Sequence, residues 1–98
     1  MLWMIMCTDK PSQLETRNRL LAEHRQYLDD NDQHIFFTGP QEEDDGSANI
    51  GSLFIVNAPT RKDAEAFVHN ETFYRAGVFE TVVIRRIRKG RFFPERAA

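Results

Sequence analysis

Ninety-eight residues make one domain rather than two, with a thin core that removes only about 60–65% of the unfolded surface from water. A formal net charge of −2 argues against nucleic acid or an anionic membrane as partner. The single cysteine, Cys7, excludes an intrachain disulfide and fits a reducing, cytoplasmic setting.

Leu2–Cys7 (LWMIMC) is an unbroken apolar run, too short for a signal or membrane segment, and predicts a strand buried on both faces. Thr8-Asp9-Lys10-Pro11 breaks it. Ser12 with Glu15 three residues on has capping-box spacing, so a helix is expected over about 12–29. Leu14, Leu21 and Leu28 recur every seventh residue on it, and Leu20 and Tyr27 widen the stripe. His34–Thr38 predicts a second strand, stopped by Gly39-Pro40. The polar stretch Gln41–Asn49 is an exposed loop at a hairpin tip, and Ile50–Asn57 is the third strand. Thr60 is the expected N-cap of a second helix, with Ala64, Phe67 and Val68 on its buried face. That helix frays near His69-Asn70, and Glu71–Gly77 is a turn or a second helical piece. Val78–Ile84 predicts the fourth strand. A basic tail follows from Arg85, with Phe92-Phe93-Pro94 placed to pack back.

The order β-α-β-β-α-β predicts an α+β ferredoxin-like domain: a four-stranded antiparallel sheet with two helices on one face. It forms a single domain over 1–98, with its core at about 2–87 and a basic tail at 88–98. The bare sheet face then needs cover. A second copy of the chain is the expected cover, over strand residues such as Trp3, Ile5, Phe54 or Val82.

Several elements recur together: Cys7–Pro11, Arg17, His24-Arg25-Gln26-Tyr27-Leu28, Gly39-Pro40, Gly51-Ser52-Leu53, Ala64-Glu65-Ala66-Phe67, Phe73 and Ala76–Glu80. In order and spacing, over about residues 2–87, they resemble the YCII family. The resemblance implies a dimeric α+β barrel with two sheets face to face. It also implies a pocket holding a histidine and an aspartate. The histidine maps onto His24. The aspartate belongs to an Asp-Pro-Phe motif that here reads Glu71-Thr72-Phe73, so the carboxylate is one methylene longer and the proline is gone.

Among residues that could carry chemistry, His24 lies three after Leu21 and four before Leu28, on the inward stripe. It is either a core histidine bonded to a carbonyl or a proton carrier in a pocket. Glu71, four after Phe67 at the end of the second helix, is either a solvated glutamate or the partner of His24. Ser52, Asp9, Tyr27 and Phe73 are the expected ligand-binding residues; Ser52 lacks the flanking glycines of a nucleophile elbow. Cys7, ending a buried strand, is a core residue rather than a reactive thiol.

Histidines 24, 34 and 69 have no tight ligand spacing, which argues against zinc. Glu42–Asp45 lacks the alternation of a calcium loop, and no glycine-rich loop supports a nucleotide cofactor. Arg85–Arg96 carries six basic residues beside Phe92 and Phe93, but the fifteen acidic residues of the chain offset them, so nucleic acid is not an expected partner. Two functions follow, beside a third reading as a purely structural dimer module. One is a cofactor-independent enzyme performing proton transfer, elimination or hydrolysis on a small cyclic or aromatic molecule through His24 and Glu71. The other is a non-catalytic small-molecule-binding dimer.

Overall fold

The computed structural model describes residues 1–97. Its elements are β1 (Leu2–Asp9), α1 (Leu14–Asp30), β2 (Ile35–Glu42), β3 (Asn49–Asn57), α2 (Arg61–His69), α3 (Thr72–Arg75) and β4 (Phe79–Ile87). The four strands form one antiparallel sheet in the order β2-β3-β1-β4. Each crossover helix therefore joins parallel strands separated by a third, which is the split βαβ arrangement of the ferredoxin-like α+β fold.

Burial along β1 alternates instead of covering both faces. Trp3, Ile5 and Cys7 are enclosed, whereas Met6 is 38% exposed. Register carries the alternation across the sheet, because residues directly opposite share a face. Trp3 faces Val56, Ile5 faces Phe54 and Cys7 faces Ser52 on one side, with Val82 and Ile84 following on β4. These residues join Ala64, Phe67, Val68 and Phe73 in the core. Trp3, Ile5, Phe54 and Val82 thus lie beneath the helices and need no partner's cover. The bare face carries the other parity: Phe37, Ile55 and Met4 in one row, and Leu53, Met6 and Val83 in the next.

Several local expectations change. Ser12 does not cap α1. Its φ of 63° puts it in the left-handed region, and Gln13 takes the N-cap position without a side-chain hydrogen bond. Helix α1 therefore starts at Leu14, and that residue is 44% exposed instead of lying on the buried stripe. Gly39-Pro40 does not stop β2, which runs on to Glu42. As an edge strand β2 tolerates a proline, since a missing N–H on the outer side breaks no ladder bond. His34 belongs to a 3-10 turn before β2, and Arg85 and Arg86 belong to β4 rather than to the tail.

Thr60 caps α2, its hydroxyl accepting from the Asp63 N–H at 3.2 Å. The segment after α2 is a second helical piece, α3, closed by Gly77 at φ 75°. In the tail, Phe92 packs on Phe36 with ring centroids 5.2 Å apart. No helix of the described residues is long and apolar enough to cross a membrane.

Candidate functional site

Glu71 sits at the junction of α2 and α3 rather than at the end of α2. It is the N-cap of α3, and its Oε2 accepts from the N–H groups of Phe73 at 2.8 Å and Tyr74 at 3.2 Å. Its side chain is wholly buried. Capping of this kind satisfies helix-end donors and places negative charge at the positive end of the peptide dipoles. The other oxygen, Oε1, meets Nδ1 of His24. His24 and Glu71 are therefore in direct contact, one from α1 and the other from the start of α3.

An ionised Glu71 has only acceptor oxygens, so beside it a neutral His24 ring carries its proton on Nδ1, which leaves Nε2 as the free nitrogen. No hydrogen bond to Nε2 forms among the described residues, and no fully enclosed side-chain nitrogen or oxygen there lacks a partner. Nε2 is consequently open to solvent. The ring is held by stacking on Phe73, with centroids 4.2 Å apart and planes 13° from parallel.

A second pair lies two helical turns back along α1. Arg17 is 5% exposed, and Asp9 receives two of its N–H groups, Nε at 2.5 Å and Nη2 at 3.0 Å. Nη2 also donates to Ser52 Oγ at 2.8 Å. The guanidinium carbon stands 4.7 Å from the Phe73 centroid, so one phenyl ring carries both His24 and Arg17. Asp9 reaches this position because it ends β1 on the same parity as Trp3, Ile5 and Cys7, the face turned to the helices. Ser52 is fixed on β3 beside Gly51. There the Gln41 amide crosses the strand to donate to the carbonyls of Cys7 and Ser52, and a Cβ on Gly51 would meet the Cys7 oxygen at 2.5 Å.

These side chains surround a cavity of about 300 Å³ between α1 and the sheet, at the small end of the ligand-pocket range. Helix α1 contributes Arg17, Leu21, His24, Arg25 and Leu28, a stripe one face wide. Ser52, Phe54 and Phe73 complete the inner wall. Asp9 and Glu71 stand behind Arg17 and His24 and do not line it. Tyr27 lies elsewhere: its hydroxyl donates to the Phe67 carbonyl at 2.6 Å, beside a separate hollow of about 400 Å³ between α1 and α2. That hollow is larger but contains neither His24 nor Arg17, so the smaller cavity is the candidate site.

Cys7 is buried directly opposite Ser52. Burial, followed by the charges of Glu71 and Asp9, pushes its thiol up to about 12 against the opposing pull of Arg17. It is thus a protonated core residue rather than a nucleophile.

Arg17 is the site residue for which sequence reasoning assigned no role. The available signal was its position, seven residues before His24 and four before Leu21, which places a charge on the inward stripe.

A family model, the YCII-related domain, matches residues 1–88. Among solved structures, the chain is similar to the 5-chloro-2-hydroxyhydroquinone dehydrochlorinase TftG from Burkholderia phenoliruptrix AC1100, in complex with 2,5-dihydroxybenzoquinone. The two are 30% identical with a TM-score of 0.84, over 92% of this chain and 96% of that one. No curated protein matches the chain.

Proposed function

The chain belongs to the YCII-related family, and on that premise we propose that it is a small cofactor-independent enzyme acting on a small cyclic or aromatic molecule. His24 moves the proton and Glu71 is its partner. The observation that carries this is the junction at His24: Nδ1 is tied to a wholly buried carboxylate, Nε2 makes no hydrogen bond among the described residues, and the ring lines a ligand-sized cavity. A base at Nε2 takes a proton from a hydroxyl or ring carbon of the substrate. Where the leaving group sits on a tetrahedral ring carbon, as in the keto tautomer of a hydroxylated ring, the freed electron pair moves towards that carbon and expels the group as an anion, leaving a new ring double bond. Glu71 stabilises the imidazolium formed in that step. Simple proton transfer and hydrolysis use the same two groups. The reading is supported by the similar Burkholderia protein, described as a dehydrochlorinase of a hydroxylated ring.

The working form is a homodimer in which the bare sheet faces pack together into a barrel. Its support is the patch of Met4, Met6, Phe37, Leu53, Ile55 and Val83, with Phe37 53% exposed.

A binding module is the second reading, favoured by one observation. Glu71 already has a structural task as the cap of α3, so its carboxylate is accounted for without catalysis. The test is turnover of hydroxylated and halogenated ring compounds, 5-chloro-2-hydroxyhydroquinone among them, followed in heavy water by ring-proton exchange and halide release. The enzyme reading expects a catalysed change that is lost in a folded His24→Asn protein. Binding of such rings without any catalysed change supports the module.

A further inference from the structure

We propose that Arg17 is the anion receptor of this cavity and that the ligand is a ring compound carrying an ionised oxygen, set against Nη1. This rests on the cavity being the functional site, and it names the class of ligand the site takes.

The argument begins with the donors of Arg17. A guanidinium has five N–H groups in a fixed fork. Nε and Nη2 are committed to Asp9 and Ser52. Nη1 makes no hydrogen bond among the described residues, and no fully enclosed side-chain nitrogen or oxygen there is left unpaired. Nη1 is therefore reached by solvent, on a side chain that is itself 5% exposed and lines the cavity. Taking an arginine out of water so deeply is costly even beside a partner carboxylate. The Asp9 pair, the Ser52 hydroxyl and the Phe73 ring together fix the direction of the fork, so Nη1 is pre-aimed.

Charge around the cavity points the same way. Its ionisable lining groups are Arg17, His24 and Arg25, all basic. The two nearby carboxylates, Asp9 and Glu71, are held behind Arg17 and His24 and do not line the space. An incoming ligand thus meets donors, while the negative charges that balance them lie in the second layer. A neutral ring would leave Nη1 desolvated and unpaired as the cavity filled, and a cation would meet only donors. A phenolate, enolate or carboxylate oxygen satisfies Nη1 with a charge-assisted bond. The volume, about 300 Å³, suits one substituted ring. With the anionic oxygen at Arg17, the remainder of that ring extends along α1 towards His24, two turns away.

The test is calorimetric titration of the full chain with two probes of nearly equal shape: 2,5-dihydroxybenzoquinone, whose acidic hydroxyls ionise, and its dimethyl ether, which stays neutral. Benzoate serves as a third probe, to separate a carboxylate preference from an enolate one. The expected result is about ten- to hundredfold tighter binding of the ionised quinone than of its ether, the range of one charge-assisted hydrogen bond. Arg17→Met should remove that preference. Since Arg17→Met strands Asp9, the double variant Asp9→Asn with Arg17→Met supplies a protein without the stranded charge. Arg17→Lys, which keeps charge but not the fork, should retain only part of the preference. Equal affinity of the unaltered protein for the ionised quinone and its ether, or binding of neither, overturns the proposal. His24→Asn separates this from the enzyme reading. Anion preference without turnover would end the enzyme reading and keep Arg17 as receptor. Turnover without anion preference would do the reverse.

Discussion

Glu71 divides its carboxylate between two tasks: Oε1 holds His24 Nδ1, and Oε2 caps α3 through the N–H groups of Phe73 and Tyr74. The proposed proton carrier and the fold of the segment beside it therefore depend on one side chain.

Replacing Glu71 by Ala should lower stability by about 1–3 kcal/mol, the combined scale of a lost cap and a stranded buried donor. Urea unfolding checks this. Glu71→Asp, one methylene shorter, should retain the cap more fully than the contact with His24.

Arg17 and Asp9 are 5% and 6% exposed at their side chains, so breaking the pair leaves a buried charge. Asp9→Ala should cost about 3–5 kcal/mol. Adding Arg17→Met to it should recover a large part of that loss, and a double-mutant cycle by urea unfolding measures the coupling.

Alkaline pH should weaken the fold through Cys7. Its folded value is raised from 9.0 to about 12, so the native state holds the proton more tightly than the unfolded chain does. The resulting stability is complete below pH 9.0 and is lost as pH rises towards about 12, by at most about 1.4 kcal/mol per pH unit. Tyr27, raised by burial and by the Glu71 charge, acts in the same direction. Urea midpoints at about pH 8 and about pH 10.5 should converge in Cys7→Ala relative to the unaltered chain. The thiol should resist alkylation until the protein unfolds.

The bare sheet face should hold two copies together. Sedimentation at micromolar concentration should give about twice the 11.4 kDa chain mass. Leu53→Asp, on that face beside Met6, should give a folded monomer. A clean monomer in the unaltered protein contradicts the barrel.

Alternation and heptad spacing made the strand and helix order legible, because those periods record which side faces the core. They could not reveal that Ser12 adopts a left-handed conformation, since that depends on how the Pro11 turn delivers the chain to α1. The run Leu2–Cys7 looked buried on both faces because Met4 and Met6 are as apolar as their neighbours. Only the register with Leu53, Ile55 and Val83 shows that they share an open face. His24 and Glu71 were readable as separate positions, and the YCII resemblance paired them. That Glu71 caps α3 rather than ending α2 was not readable, because glutamate is not a favoured N-cap. Arg17 escaped because its burial depends on pairing with Asp9 at the end of β1, a contact between strand and helix that the helical period of α1 does not record.

The most direct test of the His24–Glu71 site is nitrogen NMR of the His24 ring, with and without saturating 2,5-dihydroxybenzoquinone. At a pH where the ring is neutral, the predicted result is a proton on Nδ1 with Nε2 bare, a marked Nε2 shift on adding the quinone, and loss of the fixed tautomer in Glu71→Gln. A proton resident on Nε2, or an Nε2 signal unmoved at saturation, would contradict a Glu71-held His24 presenting its free nitrogen to a ligand.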